Sequence, residues 1–308
     1  MRVLMHHLRA VFLGLAILVP HVGAQAPAQL MFATPDEAAT ALLQALKAKD
    51  RNQLLAIFGP NAEEVLSSGD PVADRYGREV VSLAIQQSWR CVRLGANKRQ
   101  LVIGEEGWPF PISLAKQGNV WRFDTEAGKE EVAARRIGTN ELAVIELCRS
   151  YVLMQLAYAR QEHDGKRAGL YAQKVRSTPG RQDGLYWKVT PGETPSPLGD
   201  LAAEAAAEGY DTEKQAAAPF WGYYFRILTA QGNSAPGGAR SYIADGDMSG
   251  GFAMVAFPAK YDHSGVMTFL VNQSGVVYEK DLGPDTLKIA GSITEYNPDK
   301  TWKQVRVP

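Results

Sequence analysis

The stretch NELAVIELCRSYVLMQLAYARQE, residues 140–162, decides the fold that we expect for this chain. Apolar residues cover most of the circumference of the helix that it would form: Leu142, Ile145, Leu147, Tyr151, Val152, Met154, Leu156 and Tyr158. A helix that is apolar on most sides has to be enclosed by other parts of the protein. The sequence therefore predicts a long helix around which a folded domain is built.

The segments after this helix have the composition of strands. Stretches rich in β-branched and aromatic residues are separated by turn-forming residues at 223–229, 251–257, 265–272 and 276–281. Such runs between turn signals are typical of antiparallel strands. We therefore predict that residues 135–308 form a C-terminal domain in which the long helix packs on an antiparallel sheet.

The residues before the long helix predict a second domain. Thr34-Pro35-Asp36-Glu37 combines a hydroxyl cap, a proline at the first helical position and a glutamate three residues after the cap, which is typical of a helix N-terminus. Further helices are predicted at 52–58 and 78–87, and strands at 99–104, 108–114 and 120–123. Residues 34–134 are thus expected to form helices followed by an antiparallel meander, and the predicted fold class is α+β.

The first 24 residues have the order of a secretory signal peptide. Arg2 and Arg9 give a basic start, residues 10–20 are an uninterrupted apolar run, and small residues lead up to Ala24. The apolar run is about half the ~20 residues that span a bilayer. We therefore predict cleavage after Ala24, export to the periplasm or out of the cell, a linker at residues 25–33, and no stable membrane anchor after cleavage.

The charge balance argues against nucleic acid as a partner. Of the 33 basic residues, Arg2 and Arg9 would leave with the signal peptide, so 31 basic residues face 33 acidic ones. Binding to phosphates needs clustered lysine and arginine, and the longest basic groups here span only two residues.

Two cysteines, Cys91 and Cys148, leave two alternatives open. In an oxidising compartment they can form a disulfide, which would stabilise the fold by about 4 kcal/mol in the chain-entropy model. Otherwise they are buried thiols that pack as small apolar groups. Since neither lies in a CxxC motif or a Cys/His cluster, the sequence predicts no metal, redox or cofactor chemistry from them.

Histidine chemistry is not expected. After cleavage only His163, at the end of the long helix, and His263, in a turn, remain. No GxSxG motif accompanies them, so we predict capping and surface-turn roles instead of a catalytic triad.

One segment resembles the beginning of a calcium-binding loop. Asp245, Asp247 and Ser249 place oxygen atoms at its first, third and fifth positions, and a glycine occupies the sixth. The twelfth position, where a bidentate glutamate would be required, is Ala256. A tight Asp-Gly turn is the alternative, and it is the one that we predict.

Four carboxylates are candidates for acid/base catalysis. Asp70 and Asp74, four residues apart around a proline, can converge, whereas Glu105 and Glu106 are adjacent and would point to opposite faces of a strand. Clustering of these groups around a deep pocket would favour a hydrolase of the cell envelope.

Aromatic residues provide the candidate binding surface. In the C-terminal domain they are Trp187, Phe220, Trp221, Tyr223, Tyr224 and Phe225, and in the N-terminal domain they include Trp108, Phe110, Trp121 and Phe123. Neighbouring strand residues point to opposite faces, so these aromatics cannot all enter a core. The surplus predicts a surface that contacts a partner.

Several segments of the chain resemble a bacterial family of exported proteins catalogued as domain of unknown function 2950. They are residues 68–74, 107–111, 121–125, 128–131, 136–142, 171–173, 183–187, 222–228 and 280–284. The resemblance covers nearly all of the mature chain and implies an exported protein, but it brings no activity with it.

Two looser resemblances concern the fold. The order of three helices and a meander is similar to the cone-shaped fold of nuclear transport factor 2. A long helix followed by hairpins is similar to the globular part of type IV pilins and type II secretion pseudopilins, although the polymerising N-terminal helix of those proteins is missing. The latter resemblance implies an assembly or binding scaffold.

The sequence therefore predicts a non-catalytic periplasmic or secreted binding or assembly module, with an envelope protein or polymer as its partner. Two alternatives remain: the envelope hydrolase, and a carrier of small ligands that uses a cavity in the N-terminal domain.

Overall fold

The structure is a computed structural model that describes residues 28–60, 62–189, 192, 194–208, 210 and 218–306. The predicted signal peptide lies outside these ranges. The described residues contain both helices and antiparallel sheets, so the predicted α+β class is confirmed.

Four helices open the N-terminal lobe: α1 (Pro35–Lys47), α2 (Arg51–Phe58), α3 (Ala62–Leu66) and α4 (Pro71–Gln87). The predicted cap of α1 is present, since the Thr34 hydroxyl accepts the N–H of Glu37 at 3.1 Å and the Glu37 carboxylate accepts the N–H of Ala33 at 3.0 Å. The helix α4 begins at Pro71, seven residues before the predicted start at residue 78, because Asp70 caps it there.

A five-stranded antiparallel sheet follows. Its strands are β1 (Trp89–Arg93), β2 (Lys98–Ile103), β3 (Trp108–Pro109), β4 (Leu114–Gln117) and β5 (Val120–Phe123). They pair in the order β1-β2-β4-β5, with β3 also on β2. The single strand predicted at 108–114 is wrong, because it is divided around Pro109 and Pro111, which have no N–H to donate to a ladder.

The helix α5 (Thr125–Ala159) is 35 residues long and runs through both lobes. The predicted helix is therefore correct in kind but begins 15 residues too late, and the predicted domain boundary after residue 134 falls inside it. Val132 packs against the N-terminal core, whereas Val144, Ile145 and Tyr151 belong to the C-terminal core. By length and composition α5 could also cross a membrane. In this structure Val144, Ile145 and Tyr151 are buried in the C-terminal core, whereas Leu142, Leu153 and Leu156 are exposed, so the predicted enclosure of the helix on most of its sides is only partly found.

The C-terminal lobe contains a second five-stranded sheet in the order β14-β13-β12-β11-β6. Its strands are β6 (Tyr223–Leu228), β11 (Ala253–Pro258), β12 (Met267–Asn272), β13 (Val277–Asp281) and β14 (Lys303–Gln304). The remaining elements are α6 (Gly199–Glu208), α7 (Thr286–Gly291) and the short strands β7 (Ala230–Gln231), β8 (Arg240–Ser241), β9 (Ile243–Ala244) and β10 (Asp247–Met248). The predicted packing of the long helix on this sheet is found, since α5 contacts β11, β12 and β13.

The cysteines are both free, so the disulfide alternative for Cys91 and Cys148 is wrong in this structure. The physical reason is their location: Cys148 is fully buried in the C-terminal core, whereas Cys91 packs against the N-terminal core. The alternative of thiols that pack as apolar groups describes them.

Candidate functional site

An apolar cleft in the C-terminal lobe brings together part of the predicted aromatic surface. This aromatic cleft has a volume of about 500 Å³ and lies between α5, α6 and β6. Phe220, Tyr224 and Phe225 line it, and each is half-buried. Its other apolar walls include Leu147 and Met154 of α5 and Ala202 and Ala205 of α6.

The aromatic cleft lies along an edge of the C-terminal sheet. The strand β6 pairs with β11, Tyr224 opposite Phe257 and Ile227 opposite Met254, and among the described residues no strand pairs with its other side. An edge strand presents backbone N–H and C=O groups that can pair with another chain. The cleft therefore combines apolar surface with an available strand edge.

The other predicted aromatic residues lie elsewhere. Tyr223 is fully buried, and its hydroxyl donates to the Met267 carbonyl at 3.0 Å. Trp187 is buried against Tyr158 and His163. Trp108 and Trp221 line a different cavity. The predicted surface is thus divided by the alternation of strand side chains and by the turn at residues 221–222.

That second cavity lies mainly in the N-terminal lobe, where this lobe meets the C-terminal one, and has a volume of about 570 Å³. Its apolar walls come from all four N-terminal helices, from α5 and from the segment before β4, and include Leu42, Leu54, Phe58 and Ile112. The ionisable residues that line it are Arg78, Arg135, Arg136, Asp74 and Glu208. We call it the arginine cavity.

The three arginines differ in how they are held. Arg78 donates to the Leu66 carbonyl at 3.2 Å. Arg135 pairs with Glu131 at 2.6 Å and lies over the Trp108 ring. Arg136 donates through Nη2 to the Val65 carbonyl at 2.8 Å, while its buried Nη1 has no hydrogen-bond partner among the described residues. Burial lowers the pKa of Arg136, and the charge of Asp74 partly opposes this.

Asp70 is buried at the junction of the lobes and is committed to structure. Its Oδ1 accepts the N–H groups of Val72 and Ala73 at 3.0 and 3.1 Å, which caps α4. Its Oδ2 accepts the Tyr210 hydroxyl at 2.7 Å and the Gly222 N–H at 3.0 Å. The role of Tyr210 does not follow from the sequence, because Asp70 and Tyr210 are 140 positions apart and no local pattern joins them.

The other candidate carboxylates do not form a cluster with Asp70. Asp74 accepts the N–H of Ser68 with both oxygens, at 3.0 and 3.1 Å. Glu105 and Glu106 lie exposed in the turn after β2, and neither is among the residues that line the two cavities. The arrangement that would favour a hydrolase is therefore not found among these four residues.

His163 is not at the surface, so that part of its prediction is wrong. It is buried, its ring stacks on Tyr158 at 3.9 Å, and Nε2 lies 2.9 Å from the Tyr158 carbonyl near the end of α5. Its position at the helix terminus agrees with the predicted cap. His263 lies in a turn, with Nδ1 3.2 Å from the Tyr261 carbonyl.

The segment that resembles the beginning of a calcium-binding loop forms a tight Asp-Gly turn, which is the alternative that we predicted. Asp245 and Gly246, both with positive φ, form the two-residue turn between β9 and β10. Asp247 pairs with Lys166. Among the described residues there is no group of three or more His, Cys, Asp or Glu side chains that could hold a metal ion.

Comparison with known proteins identifies a family match over almost the whole chain. Residues 29–305 match the model of the family described as "Protein of unknown function (DUF2950)", as the sequence resemblance predicted. No curated protein matches the chain. No solved structure matches it either, so the resemblances to nuclear transport factor 2 and to pilins stay predictions.

Proposed function

The chain belongs to the DUF2950 family, and we propose that it is an exported binding protein without a catalytic role. In this proposal the aromatic cleft binds an extended, apolar peptide segment of an envelope protein. The observation that carries it is the convergence of Phe220, Tyr224 and Phe225 on a cleft beside an unpaired strand edge.

The chemistry of the cleft favours a peptide. A peptide that adds a strand to a sheet gains affinity from main-chain hydrogen bonds and specificity from pockets for alternate side chains. The edge of β6 supplies the backbone groups, and the half-buried rings supply apolar contact. Arg176 and Arg226 also line the cleft, but Arg226 donates to the carbonyls of Ala290 and Gly291, and Arg176 lies over the Tyr186 ring.

The acidic residues support a role without catalysis. General acid/base catalysis needs carboxyl groups within hydrogen-bond reach of the substrate. Asp70 and Asp74 already accept backbone and tyrosine donors, and Glu105 and Glu106 line neither cavity.

A panning experiment tests the proposed partner class. A random peptide library displayed on phage is selected on the mature protein, and the enriched peptides are synthesised and titrated by fluorescence anisotropy. We expect apolar residues at every second position of these peptides, because successive strand side chains alternate between faces. Binding should be lost in Ile227→Asp, which places a charge on the edge strand inside the cleft.

The control is Leu287→Asp, since Leu287 is an exposed apolar residue of α7 that does not line the cleft. Equal loss of binding in both variants, or retention in Ile227→Asp, would contradict the peptide site. Export is tested separately with alkaline phosphatase, which is active only after translocation. Fusion to residues 1–30 should give activity in intact cells, and an inactive fusion would contradict export.

A further inference from the structure

The arginine cavity has the composition of a site for an amphiphile. Its walls are largely apolar, and its volume of about 570 Å³ lies within the range of about 300–1,000 Å³ that is usual for small-molecule sites. Leu42, Leu54 and Phe58 are almost completely buried around it. A purely polar ligand would leave these walls without favourable contacts, whereas an alkyl chain gains affinity with each methylene group that it buries there.

We propose that this cavity binds a single-chain amphiphile with a carboxylate headgroup, and that the guanidinium of Arg136 receives the carboxylate. The inference is independent of the peptide site, because the two cavities have no lining residue in common. Arg136 carries five N–H donors and stays charged in proteins, and within the part of the chain that the structure describes its Nη1 is buried without an acceptor. A buried, incompletely paired charge is unfavourable, so an anion that supplies the missing acceptor is stabilised there.

The other charges of the cavity are compatible with an anion at Arg136. Three arginines and two acids line the walls, and Asp74 directs both carboxylate oxygens to the N–H of Ser68. Glu208 accepts the indole N–H of Trp221 at 3.2 Å. Arg78 donates to a backbone carbonyl and Arg135 pairs with Glu131. Of the five charged side chains that line the cavity, Arg136 is the one with a buried nitrogen, Nη1, that has no hydrogen-bond partner among the described residues.

The rim of the cavity is apolar and accessible to solvent. Tyr76, Val80 and Trp108 line it, and each is more than 40% exposed. These residues offer an entrance along which an alkyl chain can enter. Gly77 lies between Tyr76 and Arg78 on the cavity side of α4, and a Cβ atom built there meets nothing within 4 Å.

The first test compares headgroups on the unmodified protein. Dodecanoate, dodecanol and dodecyltrimethylammonium share an alkyl chain and differ in charge, and each is titrated calorimetrically below the concentration at which it forms micelles or a separate phase. We expect one dodecanoate per chain, bound at least about tenfold more tightly than dodecanol, as a hydrogen bond to a charged group predicts. The cation should bind most weakly. Equal binding of all three, or no binding of dodecanoate, overturns the proposal.

The second test blocks the cavity. Gly77 lies in the middle of the α4 face that lines the cavity, so the side chain of Gly77→Leu would occupy part of it. Leucine is also a better helix former than glycine, so the helix itself should tolerate the change. We expect it to weaken dodecanoate binding at least about tenfold, because the side chain displaces several methylene groups of the ligand. Gly138→Leu is the matched control: Gly138 is an exposed helical glycine of α5 that does not line the cavity and has equally open surroundings. Unchanged binding in Gly77→Leu overturns the assignment to this cavity.

The third test isolates the arginine. Arg136→Gln should weaken dodecanoate about tenfold and leave dodecanol nearly unchanged, and Arg136→Lys should restore part of the difference. Arg149→Gln removes an arginine from the same helix that pairs with Glu146 outside the cavity, and it should change neither affinity. Equal losses for both ligands in Arg136→Gln overturn the headgroup assignment. The comparison of headgroups decides the proposal independently if this variant does not fold.

Discussion

Asp70 shows how one side chain joins the two lobes. It is 1% exposed, and its carboxylate accepts two backbone donors of its own helix and two donors of the C-terminal lobe. The Tyr210 hydroxyl, which donates to Asp70, also accepts the N–H of Trp221 at 3.2 Å. Burial and the hydrogen bond to Asp70 raise the pKa of Tyr210, so this hydroxyl stays protonated as a donor.

Asp70→Ala should therefore cost much more than the loss of a helix cap. We expect the free energy of unfolding to fall by about 3 kcal/mol or more, since a cap contributes about 1 kcal/mol and each buried donor left unpaired costs a further ~1–3 kcal/mol. Urea denaturation followed by circular dichroism measures the change. Asp50→Ala is the control, because Asp50 caps α2 by accepting the Gln53 N–H alone. Similar costs for the two variants would contradict the joining role of Asp70.

The cysteines give a prediction on pH. Burial raises the pKa of both Cys91 and Cys148 to about 12, whereas an unfolded thiol has a pKa of about 8.5. Because only the thiolate reacts, iodoacetamide should label the native protein very slowly at pH ~8 and label it rapidly in urea. Labelling of the native protein should increase only as the pH approaches 12. Mass spectrometry identifies the labelled residue, and equally fast labelling of native and unfolded protein at pH ~8 would contradict the prediction.

For single residues, the features that could be predicted from the sequence are those that depend on residues close together in the chain. The cap at Thr34 and the Asp245-Gly246 turn follow from residues a few positions apart. The partnership of Asp70 with Tyr210, and the open nitrogen of Arg136, depend on segments that meet only after folding. Trp221 was predicted as part of the aromatic surface, but the positive φ at Trp221 and Gly222 marks the turn that separates it from Phe225.

In the turn between β11 and β12, one position, Gly265, tolerates no side chain. A Cβ atom on Gly265 would lie 2.0 Å from the Tyr223 hydroxyl, and Tyr223 is fully buried beneath the sheet edge. The glycine is required by this close approach, since its φ is not in the left-handed region.

Gly265→Ala should consequently lower the free energy of unfolding by about 1–3 kcal/mol, which is the usual cost of an overpacked core. The loss should be greater if the hydrogen bond from the Tyr223 hydroxyl to the Met267 carbonyl is also broken. Gly291→Ala serves as the control, because a Cβ atom there meets nothing within 4 Å. Thermal denaturation of the two variants provides the measurement. A melting temperature for Gly265→Ala equal to that of Gly291→Ala would contradict the predicted steric conflict.

The elements of the C-terminal sheet could be predicted closely, whereas the start of α5 could not. Strands β6, β11, β12 and β13 have alternating or continuous apolar runs between glycine turns, and each begins or ends within two residues of its predicted bounds. The predicted domain boundary after residue 134 lies close to Gly138, but a glycine inside a helix costs only about 1 kcal/mol and does not end it. Packing of α5 on the N-terminal lobe outweighs that cost, since Gly128 lies directly against Ile112.

For the whole molecule, the continuity of α5 predicts how the two lobes unfold. A helix of 35 residues is about 52 Å long, and its two halves contribute to separate cores. Gly138 lies between them, exposed and in open surroundings. If one lobe unfolds, its half of α5 loses its packing. Because the helix is continuous, the half that belongs to the other core is then destabilised as well.

Gly138→Pro should separate the two lobes thermodynamically. Proline inside a helix costs about 3 kcal/mol and removes a hydrogen bond. Differential scanning calorimetry should change from one transition to two. Gly138→Ala, by contrast, should raise the free energy of unfolding by up to about 1 kcal/mol and keep a single transition. A single transition for the proline variant, at a temperature close to that of the natural chain, would contradict coupling through α5.

The unbroken helix also bears on how such a protein can be shortened or rearranged in evolution. Recombination usually preserves function when the exchange point lies in an exposed connection that few contacts cross. Here an exchange anywhere in residues 125–159 would divide a helix that both cores use. We expect the lobes to be inherited together, and genes that encode one of them alone should be rare.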